Sequence, residues 1–456
     1  MTDHPDTFPP RPEVTPPADF VFPEPSRHTL ANGMTALVHD VPGQLVISVR
    51  TAFALSLAWE PRDREGVASL MARLLDEGTL KHSAAEFAEL LERRGVAIGA
   101  GISDAGLGVD MDVPVHHLGD ALDLLTEALS IPAFAEDEVR RMKRTRLAEI
   151  AQERASAPHR AAKELAATYY DPAERASRPS AGTPDTVEVI TREDIAAFHA
   201  AHVRPSGATV VVAGDVGQVD IVALLERTLG TWSPEATEPR PMPEEAQRRA
   251  TDAARVVLVD RPGSVQSEIS IAGPGPDRTI EAGWAPFPVL GFIVGGSPNA
   301  RIDAVLREEK GYTYGIRSGF RPRRRGGLFV TSGSLRADAT IESIQLLVDI
   351  LAGGRDGFTE AELVAGVDFI SKTAPARFET ADAIADESVQ LALEGLPADF
   401  TTDNLRRIRA LGSDDLQRAW DAYVTGEWTV IVVGDAATLR EGLEGLGIGP
   451  VTVVPN

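Results

Sequence analysis

The chain of 456 residues suffices for two or three domains of about 150 residues each, and 43% hydrophobic residues can fill sizeable cores. Its 68 acidic against 45 basic residues give a formal charge of −23, a poor surface for nucleic-acid phosphates or anionic membranes; the reading is a well-solvated acidic exterior, with attraction of basic peptides into an acidic cavity as its functional alternative. Cysteine is absent, which excludes disulfides and thiolate metal sites and favours a cytoplasmic chain, and no apolar run approaches the roughly 18 residues of a membrane span.

Residues 1–26 read as a Pro-rich polar arm without the basic and apolar segments of an export signal. A first domain is expected over 27–232. Apolar residues three and four apart predict helices over Ala84–Arg94 and Asp137–Glu153, and the β-branched run Thr209–Val212 predicts a strand. Residues 233–250, rich in Pro and Glu, read as a linker to a second domain over 251–456, where Thr429–Val433 again predicts a strand.

The second domain repeats the first. DIAAFHAAHVRPSGATVVVAGDV (Asp194–Val216) returns as DLQRAWDAYVTGEWTVIVVGDA (Asp415–Ala436), HDVPG at His39 as VDRPG at Val259, ALDLL at Ala121 as SIQLL at Ser343, and FAEDEV at Phe134 as FTEAEL at Phe358. Matches in order at nearly one offset indicate a duplication. Each copy is expected to run strand, strand, helix, strand, helix, helix, closing strand. The predicted fold class is α+β: two homologous domains in tandem, each an antiparallel-rich mixed sheet with helices packed on one face.

The stretch GVASLMARLLDEGT (Gly66–Thr79), followed by KHSAAEFAELLERRGV, joins two in the second half, DRPGSVQSEI (Asp260–Ile269) and LREEKGYTYG (Leu306–Gly315). Together these resemble the pitrilysin/insulinase zinc peptidases, peptidase family M16, which is itself built by duplication. The family frame G-x-A-H-x-x-E-H-x-L-x-x-G-T is met at Gly66, Ala68, Leu75, Gly78 and Thr79. Within it, two His four apart on a helix hold zinc, and the Glu is general base on the metal-bound water. Here those positions are Ser69, Ala72 and Arg73, and the resemblance places the third ligand at Glu149. A guanidinium near 4 Å from a divalent ion, at an effective dielectric of about 20, costs roughly 8 kcal/mol, which one carboxylate cannot offset. No metal is expected on this chain, and an Arg73–Glu149 ion pair is expected instead.

His199 and His202 in FHAAH, and the adjacent His116 and His117, read as ordinary helix-face or surface residues. Further on, Ser297 is the predicted N-cap of a helix with Pro298 at its first position, Gly311 beyond its end, and Ile302, Val305 and Leu306 as its buried stripe. A strand should follow, with Tyr312, Tyr314, Ile316, Ser318 and Phe320 on one face. The resemblance implies that Arg307 and Tyr314 bind substrate carbonyls and the developing oxyanion, with Tyr312 as second choice for the Tyr. The bland alternative has Arg307 capping a helix and Tyr314 in the core. Gln266 and Glu268 read as structural strand residues, and Arg321 with Arg323–Arg325 as a solvated turn.

A chain that keeps one half of a site and lacks the other is similar to the non-catalytic subunit of the two-subunit members, such as the alpha-type subunit of mitochondrial processing peptidase. The implied function is a substrate-binding subunit, inactive alone, that supplies Arg307 and Tyr314 to a homologous partner carrying H-x-x-E-H and the zinc. A peptide is the implied substrate. The competing reading is a catalytically inert scaffold or peptide-binding module of the same fold.

Overall fold

The computed structural model describes Thr15 and residues 18–234, 240–249 and 255–456. Within these, β1 (Ser26–Thr29), β2 (Thr35–Asp40), β3 (Val46–Phe53), β4 (Ala97–Ile102), β5 (Leu107–Pro114) and β6 (Thr209–Gly214) form one sheet, ordered β1-β2-β6-β3-β5-β4. A second sheet takes β7 (Arg255–Asp260), β8 (Gln266–Gly275), β9 (Arg317–Pro322), β10 (Gly327–Arg336), β11 (Thr429–Gly434) and β12 (Val451–Pro455), ordered β12-β7-β11-β8-β10-β9. Pairing is antiparallel except β2–β6, β7–β11 and β7–β12. Strands starting at Thr35, Val46, Ala97, Leu107 and Thr209 have counterparts starting at Arg255, Gln266, Arg317, Gly327 and Thr429, a constant shift of 220 residues. The duplication and the α+β class both hold.

Strand sequences explain how each sheet is covered. In β5, Leu107, Val109, Met111 and Val113 are buried while Asp110 and Asp112 face out, the alternation of a half-covered strand. In contrast β6 (TVVVAG) and β11 (TVIVVG) are buried almost throughout, which requires cover on both faces. Helices of the same half cover one face. The other is covered by a helix lent from the opposite half. Helix Ala157–Tyr169 lays Ala161, Leu165 and Tyr169 on Val257, Val259, Ile431 and Val433 of the second sheet. Helix Ala381–Glu394 lays Ala381, Ile384 and Ala385 on Leu37, Val211 and Ala213 of the first. Each fully buried Leu or Ile contributes about 1.5–3 kcal/mol, so neither sheet is complete without the other half.

Polar contacts cross the same seam. Arg50 of β3 donates to Asp386 (2.6 Å) and Asp112 (3.0 Å), and His39 of β2 contacts the Ser388 hydroxyl at 2.8 Å. The end of the N-terminal arm is tied down too: Phe20 stacks on Phe378, Phe22 meets the same ring edge-on, and the Phe22 N–H donates to Thr402 at 3.0 Å. Residues 1–14, 16 and 17 of the arm, and 235–239 and 250 of the expected linker, lie outside the described residues. The rest of the linker is anchored, since Arg248 bridges to Tyr170 and Arg249 N–H donates to Tyr169.

Four local expectations are corrected. Ser297 is not an N-cap: a turn closed by Ala300 N–H on the Ser297 carbonyl (3.1 Å) delays the helix to Arg301. The helix then widens into i→i+5 turns over Ala304–Glu309 and ends before Gly311, at φ +64°. Val305 is only partly buried, while Ile302 and Leu306 are fully so. The next strand begins at Arg317 rather than Tyr312, because Asp303 takes the Ile316 N–H (3.0 Å) and Gly315 turns the chain at φ +155°. Finally, the single strand expected after the first helices is the hairpin β4–β5.

Candidate functional site

Helix Val67–Arg73 carries the positions of the metal motif. Its frame is explained by backbone geometry alone. Gly66 sits at φ +102°, where a Cβ would lie 3.0 Å from the Ala181 carbonyl, and Gly78 at φ +95°, where a Cβ would meet the Ala84 nitrogen at 2.8 Å. The helix start is held by Glu60, whose side chain is fully buried. That carboxylate accepts the N–H groups of Gly66 (2.9 Å) and Ala68 (3.0 Å) and pairs with Arg175 at 2.7 Å. Such a buried pair is tolerable only because its hydrogen bonds offset the desolvation.

At the motif positions Ser69 is half-buried, Ala72 is buried, and Arg73 points to the helix Glu136–Ala155. Its Nη1 donates to both carboxylate oxygens of Glu149 at 2.9 Å. Arg146, only 4% exposed, also donates to Glu149 (3.1 Å) and binds Glu153 at 2.6 and 3.0 Å. The Arg73 hydrogen bond, seconded by Arg146, holds the Glu149 carboxyl below the usual range. Zinc does not fit this arrangement: a hydroxyl, a methyl and a guanidinium offer neither the imidazoles nor the base. Among the described residues no three His, Asp or Glu side chains converge to hold a metal. His199 is instead a core residue bonded to the Leu129 carbonyl at 2.9 Å, and His202 packs on Trp59 and Phe198.

In the second half, Tyr314 is 95% exposed and makes no hydrogen bond or ring contact among the described residues, so it is not core. Arg307 lies on the widened helical turn, partly exposed, with its Nε 3.4 Å from the Glu308 carboxylate. Tyr312 is engaged: its hydroxyl donates to Glu342 (2.7 Å) and Arg336 sits over its ring. Glu268 accepts from Ser334 at 2.5 Å, and burial raises its pKa; Gln266 is exposed. In the expected solvated turn, Arg323 is bound instead to Asp104 (3.1 Å) and the Tyr170 hydroxyl (3.0 Å).

A cavity of about 960 Å³ opens beside Ser69, Ala72 and Arg73, bordered by Ala100–Ile102 of β4. Because β4 ends its sheet, one side of its backbone is unpaired. Sequence reasoning missed Arg146, Glu153 and the cationic wall of this cavity. The spacing of Arg146, Glu149 and Glu153 on one helix was a usable signal; the wall was not, since it joins segments far apart in sequence.

The two sheets with their lent helices define a half-clamshell of the zinc-peptidase type, in which the motif helix presents Ser69, Ala72 and Arg73. The domain family described as "Insulinase (Peptidase family M16)" matches residues 57–180, and "Peptidase M16 inactive domain" matches 190–368. This chain belongs to peptidase family M16. It is 27% identical over 347 residues to an "Uncharacterized zinc protease" of Mycobacterium tuberculosis, covering 74% of this chain and 76% of that protein. It is 26% identical over 407 residues to a protein of the same description from Streptomyces coelicolor (86% and 85%), and 22% identical over 377 residues to the "Non-peptidase homolog YmxG" of Helicobacter pylori (81% and 84%). In fold it is similar to an M16 inactive domain from Pseudomonas fluorescens (TM-score 0.81, 22% identity, 90% of this chain and 98% of that one) and to a protease from Helicobacter pylori (TM-score 0.80, 19% identity, 91% and 100%). No helix among the described residues is long and apolar enough to cross a membrane.

Proposed function

We propose that this chain is the non-catalytic, substrate-binding subunit of a cytoplasmic two-subunit zinc peptidase, paired with a homologous chain that carries H-x-x-E-H and the metal. The observation that carries this reading is an asymmetry. On the motif helix Arg73 is paired with Glu149, while Tyr314 stands exposed on the second half and Arg307, beside Glu308, is partly exposed there. A Tyr so exposed, with no hydrogen bond or ring contact among the described residues, contributes little to packing. Facing a partner's metal, its hydroxyl and the Arg307 guanidinium are suitable donors to a developing oxyanion and to substrate carbonyls. The chain's own residues bind and orient; the partner's metal, when bound there, activates the water. The open edge of β4 suits an extended peptide, which can add to it as a further strand.

The name of the Helicobacter relative as a non-peptidase homolog is in keeping with a chain inert on its own. Co-purification with homologous chains, followed by peptide cleavage assays on each alone and mixed, tests the proposal. Cleavage by this chain alone, or no gain on mixing with any H-x-x-E-H homologue it binds, overturns it.

A further inference from the structure

The cavity beside the motif helix has the opposite charge from the protein around it. Four of its cations already face carboxylates: Arg73 on Glu149, Arg146 on Glu149 and Glu153, Arg160 on Glu164 and Arg178 on Glu65. Two others, Arg154 and Lys163, have no Asp or Glu partner among the described residues, and both are exposed at the cavity wall, where Arg154 bonds a main-chain oxygen of Asn456. In a chain of net charge −23, an excess of cations at one concave surface contradicts the acidic cavity entertained from composition.

The wall is also seen to bind a polypeptide. The extended end of β12 runs into the cavity, where Arg154 donates to the Asn456 carbonyl at 2.8 Å and Arg160 to the Pro455 carbonyl at 3.1 Å. Small side chains at Ala72, Ala162 and Ala166 leave the space open beside these donors. An adjoining cavity of about 410 Å³ shares Ile102, Arg178 and Ser180 with it and adds Arg324, whose Nε has no hydrogen-bond partner among the described residues. This second cavity is of mixed charge, since Asp104, Glu174 and Glu244 line it beside Arg323, Arg324 and Arg325.

We infer that this cavity selects an acidic stretch of an extended peptide, with Arg154 and Lys163 reading its carboxylates. This rests on the peptide-binding reading above and adds to it the charge of the ligand. Exposed guanidinium and ammonium groups give modest, salt-sensitive attraction, so the effect is selectivity more than tight binding.

The test uses the intact chain and three fluorescein-labelled peptides of one length, Glu-rich, Gln-rich and Lys-rich, followed by fluorescence anisotropy. The Glu-rich peptide should bind about tenfold more tightly than the Gln-rich one at low salt, with the difference shrinking as ionic strength rises. The double variant R154E/K163E, both positions being exposed, should keep its melting temperature and lose or reverse that preference. Equal binding of all three peptides, a preference for the Lys-rich one, or a Glu preference that survives in the variant overturns the inference while leaving the peptide-binding reading in place. Binding of none of the three overturns both.

Discussion

Arg73 donates from one nitrogen to both carboxylate oxygens of Glu149 at 2.9 Å, joining the helix Val67–Arg73 to the helix Glu136–Ala155 where the family frame has its metal. The carboxylate that the family resemblance offers as a third ligand is thus engaged by a guanidinium. A guanidinium neutralises that carboxylate without a metal and keeps the two helices linked.

If the frame is otherwise intact, restoring the ligands should restore the metal. S69H/A72E/R73H removes the Arg73 guanidinium from Glu149, leaving Arg146 as its remaining cation, and supplies two imidazoles and a base at helical spacing. The parent should hold no stoichiometric zinc and the triple variant about one per chain by elemental analysis. Zinc in the parent removes the basis for calling this chain inert.

The pair's contribution should depend on pH in one direction. Glu149 is depressed in the folded state, so its stabilisation is fully present above the unfolded value of about 4.3 and is lost as pH falls through the lower folded value. Both side chains are partly exposed, and Arg146 still holds Glu149 when Arg73 is gone. R73M should therefore cost no more than about 1 kcal/mol near neutrality. The gap in melting temperature between parent and variant should close on acidification below about pH 4.

Two buried histidines set a second window. Burial lowers His39 and His199 from 6.5 to about 4. Between those values the unfolded chain takes up protons that the folded chain refuses, so stability should fall as pH drops from about 6.5 toward 4. Urea denaturation across this range should show the slope, and it should flatten in H39Q/H199Q.

Tyr314→Phe discriminates a catalytic donor from a packed residue. Since the side chain is 95% exposed, its melting temperature should not change. In a complex with a zinc-bearing partner, kcat should fall by about 10²–10³, as when an oxyanion donor is lost, and R307A should raise KM as well. Turnover of Y314F within about twofold of the parent would make this chain a scaffold.

The lent helices should make the two halves one folding unit. L165A removes a side chain of the first half from the second sheet and should cost about 2–5 kcal/mol. Calorimetry should give one transition for the parent and the variant alike. Two separated transitions would show that the interlock does not couple the halves.

Much of this protein is written locally in its sequence. The duplication, the strands expected over Thr209–Val212 and Thr429–Val433, and the presence of Ser69, Ala72 and Arg73 at the motif positions follow from residue type and spacing, because side-chain period and ligand chemistry are local properties. The Arg73–Glu149 partnership was also legible, through the family frame that pairs those positions. Only the tertiary structure decided that each half lends a helix to the other's sheet, since a buried stripe does not name the surface that covers it. Likewise Gly315 and Asp303 delay the strand until Arg317, after Tyr314, and leave that ring in solvent, a result of backbone geometry that alternation does not encode. The cationic cavity assembles Arg154, Lys163 and Arg178 with the end of β12. Net charge is a sum over the whole chain, and it says nothing of which charges the fold brings together.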